Sequence, residues 1–166
     1  MISTVMAPVA SRKTLNNTYR YARGTISVLI DGSETRGTFS LLEVMQMPGS
    51  EPPLHVHQHE DETFYVLEGR ISVWVGGQVH HLEAGGSIFL PRGVPHTFRI
   101  KSAVARALNY LSPAGFEEWF RVLGTPAESF GVSSVDEGPT NEEVLRKAEE
   151  LGPRLGVSVI GPSPEF

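Results

Sequence analysis

From residue 25 onward, apolar and polar positions change over in short runs rather than with the long period of an amphipathic helix. The runs are Thr25–Asp31, Gly37–Met47, Leu54–His57, Glu62–Glu68, Ile71–Val75, Gln78–Leu82, Ser87–Leu90, His96–Ile100 and Val104–Tyr110. Strand side chains point alternately to the two faces of a sheet, so runs of four to eight residues rich in Val, Ile, Phe and Tyr predict strands. Turn formers separate them: Asp31-Gly32, Met47-Pro48-Gly49, Gly76-Gly77, Gly85-Gly86 and Pro91-Arg92-Gly93. The Val75-Gly-Gly-Gln78 passage is the best two-residue hairpin signal. Many short strands with regular turns predict an all-β antiparallel sandwich or barrel.

After residue 111 the period changes. Ser112-Pro113 offers an N-cap and a first-turn proline, and Phe116, Trp119, Phe120 and Leu123 recur at helical spacing before Gly124. The amphipathic pattern predicts a helix packed on the outside of the sheet, a lid over a pocket being the alternative. A second, surface helix is expected from Thr140 to Leu151. Thr140 and Glu143 form a capping box, the narrow apolar face is Val144, Leu145, Ala148 and Leu151, and Gly152-Pro153 is the stop. The tail Ser158–Phe166 is expected to be loosely held. The division is thus an arm or edge strand over 1–24, a barrel over 25–111 and a helical extension packed on it over 112–166. There is no internal repeat.

Composition narrows the classes of function. A chain of 166 residues buries roughly two thirds of its unfolded surface as one domain. With no cysteine it has no disulfide, thiolate ligand or cysteine nucleophile. The 14 basic and 19 acidic residues argue against nucleic acid as a partner, since phosphate binding needs clustered cations. No run approaches the ~18 apolar residues of a membrane span. A soluble, cytoplasmic protein that acts on a small molecule is expected.

The chemistry gathers between Gly49 and Gly69. His55 and His57, two apart on an extended segment, face the same side of a sheet. Glu62 returns to that side after the intervening loop, and His96 opens a later strand that can face them across a small barrel. Imidazoles with a carboxylate suit a borderline divalent transition metal better than calcium or magnesium. His59 falls in the loop between ligand strands and is expected to be exposed, and His80-His81 sit in a hairpin strand with no part in the site.

The spacing G-x5-H-x-H-x4-E-x6-G fits Gly49, His55, His57, Glu62 and Gly69, and G-x5-P-x-G-x2-H fits Gly85, Pro91, Gly93 and His96. Together these resemble the two motifs of the cupin superfamily in a small single-domain form. The second motif usually continues to an Asn at the position of Ile100, a departure that touches a structural hydrogen bond and not a ligand. The resemblance implies a jelly-roll barrel (double-stranded β-helix) holding one divalent metal on His55, His57, Glu62 and His96. The metal can be Fe, Mn, Ni, Co, Cu or Zn, all of which tolerate such donors.

Within that superfamily, EPPLHVHQHEDETFYVLEG, PRGVPHTFR and LSPAGFEEWFRVLG resemble bacterial quercetin 2,3-dioxygenase-like cupins. The resemblance implies a dioxygenase that opens a flavonol or similar enol, with Glu62 as general base. Met45, Met47, Phe64, Phe89 and Phe98 are candidates to line an apolar pocket, Phe64 and Phe98 foremost because period two places them beside Glu62 and His96. Arg92 and Arg99 are candidate rim cations but read better as solvated charges. The alternatives are a cupin isomerase, decarboxylase or lyase on a sugar or small acid, and a non-catalytic metal-dependent binding module. A homodimer is expected, because residues 1–30 offer a spare strand that would otherwise be an exposed edge.

Overall fold

The computed structural model describes residues 7–133 and 141–166. Ten strands succeed one another from the N-terminal side. They are β1 (Thr18–Tyr21), β2 (Gly24–Ile30), β3 (Ser40–Gln46), β4 (Leu54–His57), β5 (Asp61–Glu68), β6 (Arg70–Val75), β7 (Gln78–Glu83), β8 (Ser87–Leu90), β9 (His96–Ile100) and β10 (Ala105–Ser112). Helix α1 (Glu117–Leu123), the short β11 (Thr125–Pro126), helix α2 (Asn141–Leu155) and β12 (Val157–Gly161) complete the order. Two antiparallel sheets result, β11-β1-β2-β3-β10-β5-β8 and β12-β4-β9-β6-β7, facing each other as a jelly-roll barrel.

Alternation along each strand decides what lies inside. In β5, Glu62, Phe64 and Val66 turn inward and are buried while Tyr65 is exposed. In β10, Ala105, Ala107, Asn109 and Leu111 do the same. One core cluster joins Phe64, Val66, Ile71, Val73, Leu90 and Ile100. Ile100, which stands where the second motif usually has Asn, is a packing residue of this cluster.

The first helix departs from expectation in both start and place. Ser112 is still in β10, its hydroxyl donating to the Thr38 carbonyl at 3.0 Å. The helix begins at Glu117, whose buried carboxylate accepts from Gly115 N (2.7 Å), Gly32 N (3.1 Å) and Ser40 Oγ (2.9 Å). That carboxylate pins the helix to the β2–β3 connection, and a Cβ at Gly32 would lie 2.6 Å from its Oε1. Phe116, Trp119, Phe120 and Leu123 do not lie on the outside of a sheet. They join Ile26, Leu42 and Leu111 of the large sheet and Val157 of the small one in a second core cluster, which closes the barrel's end.

The chain beyond α1 corrects three further expectations. β11 pairs with β1 at Tyr19↔Pro126 and Arg20↔Thr125, so the N-terminal strand is not a free edge. α2 runs through Gly152-Pro153 to Leu155 and buries Leu151. Its expected capping box at Thr140 lies outside the described residues. The tail is not loose. β12 adds to the small sheet beside β4, pairing Val157↔His57, Ser158↔Val56 and Val159↔His55. Beyond it, Ser163 Oγ donates to the Pro52 carbonyl at 3.1 Å, and Lys101 Nζ donates to the Phe166 carbonyl at 2.8 Å. Gly156, at φ +70°, makes the turn into β12; a Cβ there would meet the His59 ring at 2.6 Å. Among the described residues no helix is long and apolar enough to cross a membrane.

Candidate metal centre

β4 turns His55 and His57 inward, β5 brings Glu62 from the opposite sheet, and β9 sets His96 directly beside His55 in register. All four side chains are buried, and one donor atom from each lies within 4.8 Å of the others. His96 Nε2 is 3.0 Å and His57 Nε2 3.9 Å from Glu62 Oε2. The ring centroids stand 4.5 Å (His55–His96), 5.1 Å (His55–His57) and 5.5 Å (His57–His96) apart.

The outer nitrogens are tied off. His55 Nδ1 lies 2.9 Å from the Pro53 carbonyl, His96 Nδ1 lies 3.0 Å from the Val94 carbonyl, and His57 Nδ1 is hydrogen-bonded to Glu60 Oε1. As donors, these Nδ1 atoms leave each Nε2 to face the cluster. His57 Nε2 is buried with no hydrogen-bond partner among the described residues. A buried, unpaired ring nitrogen beside two more imidazoles and a carboxylate costs free energy unless something accepts its lone pair, and a divalent transition metal does so. The donor set therefore fits such an ion. Asn109 Nδ2 steadies the carboxylate from behind, donating to Glu62 Oε1 at 3.2 Å.

The electrostatics follow from burial and crowding. Burial, with His96 and His57 close by, pushes His55 down to about 3. Burial alone would raise Glu62, but His57, the His96 hydrogen bond and His55 outweigh it and bring the carboxyl down to about 2. Burial would lower His57, yet Glu62 and Glu60 together raise it above its ordinary value. In the metal-free arrangement His55 thus stays neutral and Glu62 ionised near neutral pH.

A metal-free preparation is accordingly expected to be most stable near its histidines' ordinary pKa of about 6.5. Below that, the unfolded chain protonates His55 while the folded one does not, so stability falls as pH drops toward about 3. Glu62 extends the loss from its ordinary 4.5 down to about 2. His57 acts in the other direction, its contribution fading as pH rises through its raised value. Thermal melts in a chelating buffer check this, and a melting temperature that does not move between about 6.5 and 4.5 overturns it.

The cluster opens into a cavity of about 220 Å³. Phe64 and Phe98 line it, their rings 5.8 Å apart. Met45, Met47 and Phe89 do not. In β3 the inward positions are Leu42, Val44 and Gln46, which puts Met45 on the outer face with Met47 just past the strand end. In β8 Leu90 is buried and Phe89 is 60% exposed. The further walls are Tyr21, which the sequence did not single out, and Phe116, Trp119 and Phe120 of the stripe whose alternative reading was a lid over a pocket. Trp119 Nε1 donates to Tyr21 Oη at 3.1 Å, and Phe116 meets the His57 ring edge-on at 4.4 Å. Arg92 does not reach the cavity, being exposed and paired with Asp61 (Nη2–Oδ2 2.8 Å). Arg99 lies against the Phe166 ring. His59, His80 and His81 are exposed.

Two facing antiparallel sheets with three histidines and a glutamate converging between them make a jelly-roll barrel whose interior donors could hold a metal ion. A family model described as "Cupin domain" matches residues 42–109, which contain all four donors. The barrel is of the cupin type, and the chain is similar to a quercetin 2,3-dioxygenase of Bacillus subtilis, 30% identical over 117 residues, 70% of this chain and 35% of that one. It is also similar to the HTH-type transcriptional regulator PuuR of Escherichia coli, 28% identical over 96 residues, 57% of this chain and 52% of the regulator. The chain thus spans about a third to a half of the length of these relatives. Among solved structures, an RmlC-like cupin from Shewanella frigidimarina superposes with a TM-score of 0.54 at 22% identity, over 66% of this chain and 96% of that one, a likeness of fold. An enzyme and a regulator are both similar to this chain, so the choice between activities rests on the site.

Proposed function

We propose that the protein is a metal-dependent dioxygenase of the quercetinase-like kind, acting on a flavonol or a similar enolic aromatic. One observation carries this reading: the four convergent donors open into an aromatic-walled cavity that, among the described residues, no Lys or Arg lines. A divalent transition metal bound there supplies Lewis acidity toward an enol hydroxyl and a centre for oxygen chemistry. Phe64, Phe98, Phe116 and Trp119 offer aromatic walls to a flat apolar body. At about 220 Å³ the cavity is below the ~300–1,000 Å³ of drug-sized ligands. A one- or two-ring enol fits whole, and a flavonol extends through the mouth. A small-acid substrate is less well served, because among the described residues no Lys or Arg lines the cavity to pair with its carboxylate beside the metal donors.

Glu62 is the residue assigned to the proton. It is held ionised, as an acceptor must be, and its Oε2 faces the point where the three Nε2 atoms converge. A carboxylate lowered to about 2 is a weak base, so it would serve a substrate hydroxyl made acidic by the Lewis acid that these donors would hold.

The test is oxygen uptake by apo-protein loaded separately with Fe(II), Mn(II), Ni(II), Co(II) or Cu(II), offered a flavonol and a one-ring enol. Uptake matched by substrate loss is expected with at least one ion. Glu62→Gln is expected to keep part of its metal and lose roughly 10²–10⁴-fold in turnover; a wild-type rate there removes the base role. Silence with every ion at full occupancy transfers the assignment to a binding module.

A further inference from the structure

The three histidines are not held alike. Two donate their outer nitrogens to backbone carbonyls, and His57 alone donates to a carboxylate, that of Glu60. Glu60 stands in the three-residue connection between β4 and β5, where Gln58 and His59 are exposed, yet it is only 3% exposed itself. A connection that merely reverses the chain has no need of a buried carboxylate, whose desolvation is costly. His57 is also the histidine whose Nε2 has no protein partner, and its ring is held by Phe116 at 4.4 Å and stacked on His96 at 5.5 Å.

We propose that Glu60 and His57 form a carboxylate–histidine pair that makes His57 the strongest nitrogen donor of the site, with Glu60 as a positioning residue for the metal. The inference rests on the metal reading above. An anionic acceptor on Nδ1–H fixes the tautomer and ring orientation and makes Nε2 more basic than a carbonyl acceptor does. Glu60 also brings a second negative charge, so that with Glu62 it balances a divalent ion in a buried site.

The test compares chelator-competition affinities for Co(II) and Ni(II) in wild type, Glu60→Gln and Glu60→Ala, with apo-protein melts as the fold control. Gln keeps an acceptor for Nδ1–H and removes only the charge; Ala removes both. A graded loss is expected, about 10-fold for Gln and toward 100-fold for Ala. In Co(II)-loaded protein, the exchangeable, hyperfine-shifted Nδ1–H resonance of His57 moves in Glu60→Gln and broadens into solvent exchange in Glu60→Ala. Wild-type affinity in both variants, with that resonance unmoved, overturns the pair and leaves the metal reading standing. So does a weakened affinity with the resonance unmoved, which is what a merely structural role would give. No binding by wild type overturns both. If Glu60→Ala does not fold, Glu60→Gln decides alone by the same two measurements.

Discussion

Replacing His96 by alanine is expected to strip the protein of most of its bound divalent metal while leaving the barrel folded. His96 opens β9 and is paired in register with His55, so its ring is presented by two strands that stay hydrogen-bonded through their backbones. Losing a donor outright is expected to weaken binding by more than the 10- to 100-fold that loss of a supporting group costs. The fold has a separate footing, since neither core cluster contains His96. The apo-protein pays for the lost donor to Glu62 Oε2, on the order of 1–3 kcal/mol for a buried acceptor, softened by the Asn109 amide that remains on Oε1. Metal content after loading and desalting, with circular dichroism on the same sample, separates the two effects. Wild-type metal content removes His96 from the site, and an unfolded spectrum removes the claim that the core stands without it.

Much of the barrel was legible because its signals are local. Leu54–His57, Ser87–Leu90 and His96–Ile100 have the same ends in the structure as in the alternation pattern, since two-faced burial repeats every second residue. The convergence of His55, His57, Glu62 and His96 was legible for the same reason, and Phe64 and Phe98 inherited their inward faces from Glu62 and His96. Phe89 shows where local reasoning stops. Parity within β8 offers two faces, and only its pairing with β5, Thr63↔Phe89, tells which one is outward. Glu60 was hidden in a polar loop, where composition signals a turn and says nothing of which carboxylate folds back onto a histidine. The aromatic stripe of α1 correctly announced a buried face, but a stripe does not name its partner. Its place between the sheets is set by Glu117 reaching Gly32 and Ser40, 85 and 77 residues away in the chain. In the tail, Val157-Ser158-Val159 between two glycines is a strand signal, too short to outweigh the helical pattern before it.

That tail carries the second large effect. Ending the chain after Gly156 is expected to lower both stability and metal affinity, because β4, which carries two of the four donors, has little else to hold it. On one side β4 meets β9 at the single pair His55↔His96; on the other it is paired with β12 along its whole length. Removal of β12 takes away Val157, a buried member of the core around α1, and with it burial of roughly 1.5–3 kcal/mol. It also removes several ladder hydrogen bonds at about 1 kcal/mol each. Against a total of ~5–15 kcal/mol for a domain of ordinary stability, this is a large share. Affinity is expected to fall for a second reason: a strand free to fray presents His55 and His57 as an ensemble, and an ion that binds must first restore their geometry. Val159→Ser separates the two, since it trims a cavity wall that is 45% exposed while leaving the ladder in place. The truncation is expected to lose metal affinity and melting temperature together, and Val159→Ser to keep both. A truncated protein that melts and binds metal like the full chain would show that β4 is held from the β9 side alone.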